Sequence, residues 1–187
     1  MTLTPRNAGW IEVICGSMFS GKTEELIRRL RRAQIAKLDT AIFKPKMETR
    51  YSSDHIVSHN QLKLPSYLIE SPMEILTLAK TAQVIGIDEA QFFDSSLVDV
   101  CQQLAADEKR VIVAGLDTDY RGLPFGPMPD IMCEADYLDK LRAICVKCGN
   151  PATYTQRTSE ETERILLGET DIYEARCRNC YEPPKEL

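Results

Sequence analysis

An apolar segment that leads directly into a glycine-containing loop constrains the fold of this chain most. The segment is Trp10-Ile-Glu-Val-Ile-Cys15, and its β-branched and aromatic residues predict a strand. The loop that follows, Gly16-Ser-Met-Phe-Ser-Gly21-Lys22-Thr23, fits the pattern G-x-x-x-x-G-K-[ST]. After it, Leu26, Leu30 and Ala33 recur at the spacing of a helix face. A strand, a glycine loop and a helix in this order are the setting in which the pattern binds phosphate.

Each residue type in the loop has a chemical role in phosphate binding. Glycines let backbone N–H groups surround a polyphosphate, Lys22 reaches the β- and γ-phosphates, and the Thr23 hydroxyl ligates magnesium. We therefore predict a nucleoside triphosphate site with Mg²⁺. Its residues on the loop are Gly16, Ser17, Met18, Phe19, Ser20, Gly21, Lys22 and Thr23.

Apolar strands and helices alternate along the chain after this helix, which we expect to end near Leu38-Asp39. Near-continuous apolar strands separated by helices are typical of a mostly parallel sheet covered on both faces, so we predict an α/β fold. The predicted strands are Thr40–Pro45, Tyr67–Ile69, Gln83–Asp88 and Arg110–Gly115, and the predicted helices are Met73–Lys80 and Ser95–Ala106.

Two acids end the buried strand Val84-Ile-Gly-Ile-Asp88-Glu89. An apolar strand with an acid at its carboxyl end is the form of a Walker B element, in which Asp88 helps Thr23 to hold Mg²⁺. The alternative, that both acids only cap a loop, would suit an isolated Asp-Glu pair. Since the metal needs one carboxylate from this strand, we assign Glu89 as a hypothesis to the base that orients and deprotonates an acceptor hydroxyl.

Two cysteine pairs, Cys145-x-x-Cys148 and Cys177-x-x-Cys180, lie near the end of the sequence. Each pair supplies two thiolates, and two pairs complete a closed, tetrahedral zinc site with no position left for catalysis. A redox pair or a chance pairing is the alternative. The 28 residues between Cys148 and Cys177 exceed the spacing of common zinc ribbons, and anchoring both ends lowers the entropy cost of holding that loop over a ligand.

Length and composition set outer limits on what the chain does. Its 187 residues suit one domain plus an appendage, and we place the boundary between a nucleotide-binding domain, 1–144, and a zinc-binding domain, 145–187. The sequence has no run of about 18 apolar residues and no hydrophobic signal core, so we expect no membrane association and a cytoplasmic location. A net charge of −5 disfavours nucleic acid as the partner and favours a small substrate.

The motifs together resemble the type II thymidine kinases, the zinc-containing cytosolic class. The resemblance covers the chain from about Trp10 to Tyr181 in unbroken order. Its blocks are the glycine loop with Met18-Phe19-Ser20, Lys44-Pro45, Thr49-Arg50-Tyr51-Ser52, Ile87-Asp88-Glu89-Ala90-Gln91-Phe92-Phe93, Gly115-Leu116-Asp117, Pro124-Phe125-Gly126 and the cysteine pairs.

This resemblance implies a RecA-like P-loop core with a small C-terminal zinc ribbon and a lasso loop. It implies transfer of the ATP γ-phosphate to the 5′-hydroxyl of deoxythymidine, with Mg²⁺ and a structural Zn²⁺ as cofactors. It also implies a homotetramer that dTTP inhibits.

The resemblance assigns roles to individual residues. Glu89 matches the catalytic base, and Arg50 falls where an arginine lies near the reacting phosphates beside Lys22. The nucleotide site then includes Asp88, Glu89, Ala90 and Gln91. Substrate-binding positions on the lasso loop are Leu166 and Gly168, whose backbone reads the thymine edge and the sugar, together with Leu167 between them and Tyr173, which packs over the substrate. Pocket positions around the base are Met18, Phe92, Leu116, Tyr120 and Thr155.

Two rival functions remain open at this point. One is a nucleic-acid-associated P-loop ATPase that uses the zinc ribbon as a docking module, which the acidic charge disfavours. The other is a regulatory ATP switch whose zinc module binds a protein partner and which forms no phosphorylated small product. The dense basic run Arg28-Arg29-Leu30-Arg31-Arg32 would fit nucleic acid or a second subunit, although a solvated helix face is the simpler reading.

Overall fold

Six strands form one parallel sheet in the computed structural model, which describes residues 8–46, 55–57, 63–159 and 172–184. In chain order, the first eight strands of the described residues, six of which form this sheet, are β1 (Trp10–Cys15), β2 (Thr40–Pro45), β3 (His55–Val57), β4 (Lys63–Pro65), β5 (Tyr67–Ile69), β6 (Val84–Ile87), β7 (Arg110–Gly115) and β8 (Tyr137–Lys140). The sheet has the order β5-β2-β6-β7-β1-β8, and each neighbouring pair is parallel. β3 and β4 form a separate antiparallel pair.

Helices cover both faces of the sheet. The helices are α1 (Lys22–Ile35), α2 (Met73–Leu78), α3 (Ser96–Ala106) and α4 (Met128–Glu134), with a short 3₁₀ helix at Ala90–Phe92. The apolar stripe of α1 packs on one face, where Leu26 and Leu30 join Ile14 and Ile112 in one buried cluster. The other three helices pack on the opposite face in a second cluster. The predicted α/β fold with a mostly parallel sheet is confirmed.

Two predicted helix ends differ from the structure. α1 ends at Ile35, before the expected Leu38-Asp39, because Lys37 adopts a positive φ of 61°. The N–H of Leu38 then bonds to the carbonyl oxygen of Ala33 over 3.1 Å, which closes the helix in a Schellman-type turn. α2 ends at Leu78, two residues before the predicted end at Lys80.

Neither α4 nor β8 was predicted from the sequence. β8 lies at the edge of the sheet, where β1 is its one partner among the described strands, and Leu138 and Asp139 are exposed on it. An edge strand buries little surface, so its sequence needs no apolar run. The missing apolar pattern explains why the strand was not recognised.

A cluster of charged side chains ties β8 and α1 to the rest of the sheet. Glu12 of β1 is 6% exposed and accepts hydrogen bonds from Arg29 Nη1 at 2.7 Å, Arg110 Nε at 2.6 Å and Trp10 Nε1 at 2.7 Å. Arg29 also bonds to Asp139 of β8 over 2.6 Å. Part of the basic run on α1 is therefore engaged by acids of its own chain.

The C-terminal part forms two short antiparallel ribbons. β9 (Ala143–Ile144) pairs with β10 (Pro151–Ala152), and β11 (Tyr154–Arg157) pairs with β12 (Tyr173–Arg176). Their buried side chains form a third, small apolar cluster that Phe19 of the glycine loop joins. We call residues 143–159 and 172–184 the C-terminal module; the sequence-based boundary after residue 144 stays a prediction. None of the helices in the described ranges has the length and apolar character that crossing a lipid bilayer requires.

Candidate active site

The glycine loop joins the carboxyl end of β1 to the first turn of α1. Gly21, the residue before this helix, has no side chain that could cap the first N–H groups of α1. The hydroxyl oxygens of Ser17 and Ser20 are buried and have no hydrogen-bond partner among the described residues. Buried donors at a helix N-terminus fit an anion such as a phosphate group.

Lys22, the first residue of α1, places its cation inside this loop. Its Nζ donates a hydrogen bond to the backbone oxygen of Ser17 over 2.8 Å. Burial lowers the pKa of Lys22, while the carboxylates of Glu89, Asp88 and Asp117 act in the opposite direction. A desolvated cation next to the loop is suited to neutralise a phosphate.

Thr23 and Asp88 meet between the loop and the end of β6. The Thr23 hydroxyl donates to Asp88, with its Oγ1 3.2 Å from Oδ2 and 3.4 Å from Oδ1. Burial, followed by the neighbouring Glu89, raises the pKa of Asp88 to about 7. Two oxygens on one Mg²⁺ stand about 3 Å apart when each lies about 2.1 Å from the ion. This pair therefore fits the predicted magnesium site.

Glu89 follows Asp88 in a left-handed backbone conformation, with φ 53° and ψ 37°. Its side chain is exposed, and its Oε2 accepts a hydrogen bond of 2.6 Å from Gln91 Nε2. The structure thus brings Lys22, Thr23, Asp88 and Glu89 together at the carboxyl edge of the sheet. A non-glycine residue in this conformation carries backbone strain of the kind that is common at functional sites.

An arginine that the sequence analysis missed links two of the predicted pocket residues. The guanidinium carbon of Arg157 lies 3.7 Å from the ring centroid of Tyr120. Its Nη2 donates to the hydroxyl of Tyr173 over 2.7 Å. Arg157 is 6% exposed, so this buried cation fixes one aromatic ring against the other. An arginine on a short strand gives no sequence signal for such a role.

Two other pocket positions join the glycine loop to the C-terminal module. The backbone N–H of Met18 donates to Oγ1 of Thr155 over 3.0 Å, and Thr155 is 3% exposed.

Two more predicted pocket residues, Phe92 and Leu116, contact neighbouring segments. Phe92 packs edge-on against Phe125 with the ring centroids 5.5 Å apart, and the N–H of Leu116 bonds to Gln91 Oε1 over 3.0 Å. The predicted residues Arg50, Leu166, Leu167 and Gly168 lie outside the described residues.

An ion pair beside the glycine loop was also not predicted from the sequence. Lys140, the last residue of β8, bonds to Oδ2 of Asp117 over 2.5 Å. Asp117 follows β7 and is 5% exposed. Asp117 belongs to the segment Gly115-Leu116-Asp117, one of those that carry the family resemblance. Lys140 was not predicted as a site residue, because β8 was not predicted as a strand.

Four sulfur atoms gather at one end of the C-terminal module. The Sγ atoms of Cys145, Cys148, Cys177 and Cys180 all lie within 4.8 Å of one another, with 3.5 Å between Cys148 and Cys177 and 3.6 Å between Cys180 and Cys148. Tetrahedral zinc with Zn–S bonds of about 2.3 Å needs sulfurs about 3.8 Å apart. The four thiols therefore form a cluster compatible with zinc.

The acidity of these thiols differs with their hydrogen bonds. Desolvation raises the pKa of Cys145, but backbone N–H groups outweigh it and lower that pKa to about 6. Desolvation also opposes ionisation of Cys177, but a hydrogen bond from the Cys148 thiol, followed by backbone N–H groups, lowers the pKa of Cys177. Hydrogen bonds to Cys148 and Cys177 raise the pKa of Cys180 to about 12. Hydrogen bonds thus favour the thiolate form at Cys145 and Cys177, and thiolates are the form that ligates zinc.

The family match and the similar proteins of known function agree with one another. The family described as thymidine kinase matches residues 9–181. A thymidine kinase of Rhodothermus sp. strain ITI 518 is 60% identical over 179 residues, which cover 96% of this chain and 84% of that protein. Thymidine kinases of Bacteroides fragilis and Bacteroides thetaiotaomicron are 55% and 54% identical, over 95% and 94% of this chain and 89% and 88% of theirs.

Proposed function

Because this chain belongs to the thymidine kinase family, we propose that it transfers the γ-phosphate of ATP to the 5′-hydroxyl of deoxythymidine and forms dTMP. The convergence of Lys22, Thr23, Asp88 and Glu89 at the carboxyl edge of the sheet is the observation that carries this mechanism. Phosphoryl transfer depends mainly on positioning and charge neutralisation, and this group of residues supplies both.

In this proposal the glycine loop binds the triphosphate of ATP. The N-terminus of α1, which follows Gly21, and the buried hydroxyls of Ser17 and Ser20 donate to phosphate oxygens. Lys22 leaves the Ser17 carbonyl for the β- and γ-phosphates and neutralises their charge. The backbone of residues 88–91 closes the other side of this site.

The oxygens of Thr23 and Asp88 would hold Mg²⁺. When bound there, magnesium would neutralise part of the charge of the phosphates. Burial and the nearby Glu89 raise the pKa of Asp88, and a divalent cation in contact with this carboxylate favours its ionised form.

Glu89 is the proposed general base. Its exposed carboxylate lies beside the loop that carries the triphosphate, so it is placed to hydrogen-bond the 5′-hydroxyl and accept its proton as the bond to phosphorus forms. Arg50, which lies outside the described residues, is proposed to neutralise charge on the transferred phosphate.

The nucleoside is proposed to lie between the glycine loop and the C-terminal module. Tyr120 and Tyr173, linked by Arg157, supply aromatic surface for the base, and Met18 and Thr155 close the pocket from the loop side. Phe92 and Leu116 complete this pocket. The segment with Leu166, Leu167 and Gly168, outside the described residues, is proposed as the lasso that covers the nucleoside.

Zinc is proposed to have a structural role. Cys145, Cys148, Cys177 and Cys180 would hold it in a closed site, which anchors both ends of the chain between Cys148 and Cys177. The four cysteines are free thiols, and we place the protein in the cytoplasm, where such thiols stay reduced.

Two further properties belong to the proposal. dTTP is expected to inhibit, because it combines the thymidine that the pocket binds with the triphosphate that the loop binds. A homotetramer is expected from the family resemblance, and light scattering on the purified protein measures the subunit number.

Incubation with ATP, Mg²⁺ and a panel of nucleosides tests the function. We expect dTMP to form from deoxythymidine, with one ADP released per dTMP. ADP release that depends on added DNA, without a phosphorylated nucleoside, would instead support the ATPase with a docking module. ADP release without DNA or nucleoside would support the regulatory switch.

A further inference from the structure

We propose that Gln91 is a positioning residue that holds the carboxylate of Glu89 in the orientation needed to accept a proton. This inference rests on the proposed role of Glu89 as the base. The family resemblance implies that Gln91 is one of the nucleotide-binding residues. In the structure, its side-chain amide bonds to Glu89 and to the backbone of Leu116.

Both ends of the Gln91 amide are engaged by the protein. Its Nε2 donates to Glu89 Oε2 over 2.6 Å, and its Oε1 accepts the backbone N–H of Leu116 over 3.0 Å. Because a backbone N–H can only donate, it fixes the amide oxygen toward Leu116. The amide nitrogen must then face Glu89. The direction of the hydrogen bond to the proposed base is therefore set by the chain that follows β7.

The surroundings of Gln91 are closely fitted to it. Gln91 is 2% exposed, and a buried amide is costly unless it is hydrogen-bonded. A Cβ on Gly115 would lie 2.9 Å from Gln91 Oε1 and 2.7 Å from Met128 Sδ. A Cβ on Gly126 would clash with the carbonyl oxygen of Gln91. Gly115 thus leaves space for the side-chain amide of Gln91, and Gly126 leaves space for its backbone. The close fit at Gly115 and the bond to Leu116 limit the freedom of the amide to turn away from Glu89.

A fixed amide has a direct consequence for an exposed acid. Glu89 is at the surface of the cleft, and its side chain would otherwise sample several rotamers. The bond to Oε2 selects one of them and leaves Oε1 as the oxygen that we assign to the 5′-hydroxyl. Since Leu116 is also a predicted pocket position, Gln91 connects the base to a segment that we propose contacts the nucleoside.

Replacing Gln91 with methionine tests this role, because methionine has a similar length and no amide. A hydrogen bond to a charged group is lost, so we expect kcat to fall by about 10- to 100-fold. The KM values for ATP and thymidine should stay within about threefold, because Gln91 acts through the base and not through binding. Gln102→Met on the exposed face of α3 is the matched control and should leave kcat unchanged.

A second variant covers the case in which methionine disturbs packing. Gln91→Glu keeps the size and an acceptor for the Leu116 N–H, but it removes the donor that faces Glu89. It should lower kcat at least as much as Gln91→Met while ATP still binds with nearly unchanged affinity. Measuring the Kd for ATP on both variants reports whether the site is folded.

The background variant Glu89→Gln separates positioning from a general structural role. If Gln91 acts through Glu89, Gln91→Met should cost little further activity in that background. An equal loss of kcat in both backgrounds, or wild-type kcat in Gln91→Met, would overturn the inference. If Glu89→Gln itself retained full kcat, the proposed base would be wrong instead, so the two failures are distinguishable.

Discussion

The backbone N–H of Met18 donates a hydrogen bond of 3.0 Å to Oγ1 of Thr155, 137 residues away in sequence. This bond joins the glycine loop to the C-terminal module. Phe19, the next residue of the loop, has a positive φ of 64° and packs against the apolar cluster that contains Cys145 and Cys177. The loop proposed to bind phosphate and the module proposed to bind zinc are therefore in direct contact.

Removing the Thr155 hydroxyl should weaken ATP binding even without nucleoside. Thr155→Val keeps the shape of the side chain and leaves the backbone N–H of Met18 without this acceptor. We expect the Kd for ATP, measured by calorimetry, to rise by about 3- to 10-fold. Thr77→Val on the exposed face of α2 is the control. An unchanged Kd in Thr155→Val would show that the bond does not shape the loop.

Loss of the metal should affect ATP binding through Phe19. We expect the purified protein to contain one zinc per chain by elemental analysis, and Cys148→Ser to lose it. Without zinc the cluster around Cys145 loosens, so the Kd for ATP should rise together with the KM for thymidine. Cys133→Ser, which changes an exposed cysteine outside the cluster, should retain zinc. Zinc loss with unchanged ATP binding would contradict the coupling.

Replacing Arg157 should impair nucleoside binding selectively. Arg157→Met removes the cation that links Tyr120 to Tyr173, so both rings gain freedom. We expect the KM for thymidine to rise by about tenfold, while the Kd for ATP stays nearly constant. Steady-state kinetics measure the first and calorimetry the second, with the exposed Arg142→Met as control. A larger effect on ATP than on thymidine would contradict this assignment.

The charge cluster around Glu12 should make stability depend on pH. Burial opposes ionisation of Glu12, but hydrogen bonds from Arg110, Trp10 and Arg29 outweigh it and lower its pKa below the ordinary 4.5. A lowered folded-state pKa gives a contribution that is complete above 4.5 and is lost as the pH falls through the folded value.

Glu12→Gln should therefore lower the free energy of unfolding by about 2 kcal/mol at pH 7, and this difference from wild type should shrink toward pH 3. Urea titrations at several pH values measure it. Glu134→Gln, which changes an exposed acid, is the control and should show little difference at any pH. A Glu12→Gln deficit that stayed constant from pH 7 to pH 3 would contradict the role of the ionised carboxylate.

Much of the fold could be predicted because its signals are local. β1, β2, β5 and β7 coincide with the predicted strands, since buried parallel strands are almost continuously apolar. The order of the strands follows from pairing between distant segments, and no local pattern encodes it. β8 was missed because an edge strand can carry exposed residues such as Asp139.

The site likewise contains residues that could be predicted from the sequence and contacts that could not. Lys22, Thr23, Asp88 and Glu89 were found because phosphate and metal chemistry require those residue types at fixed spacing. The contacts of Arg157 and Gln91 were not found, because they depend on side-chain directions that only the folded chain sets. The amide orientation of Gln91, for example, is fixed by Leu116, 25 residues later.

The most direct test of the account is Glu89→Gln, assayed for dTMP formation and for ATP binding on the same preparation. General base catalysis contributes about 10²- to 10⁴-fold, so we expect kcat to fall by at least 100-fold while the Kd for ATP changes less than threefold. A kcat equal to that of the wild type would contradict the assignment of Glu89 as the base and, with it, the proposed arrangement of the site.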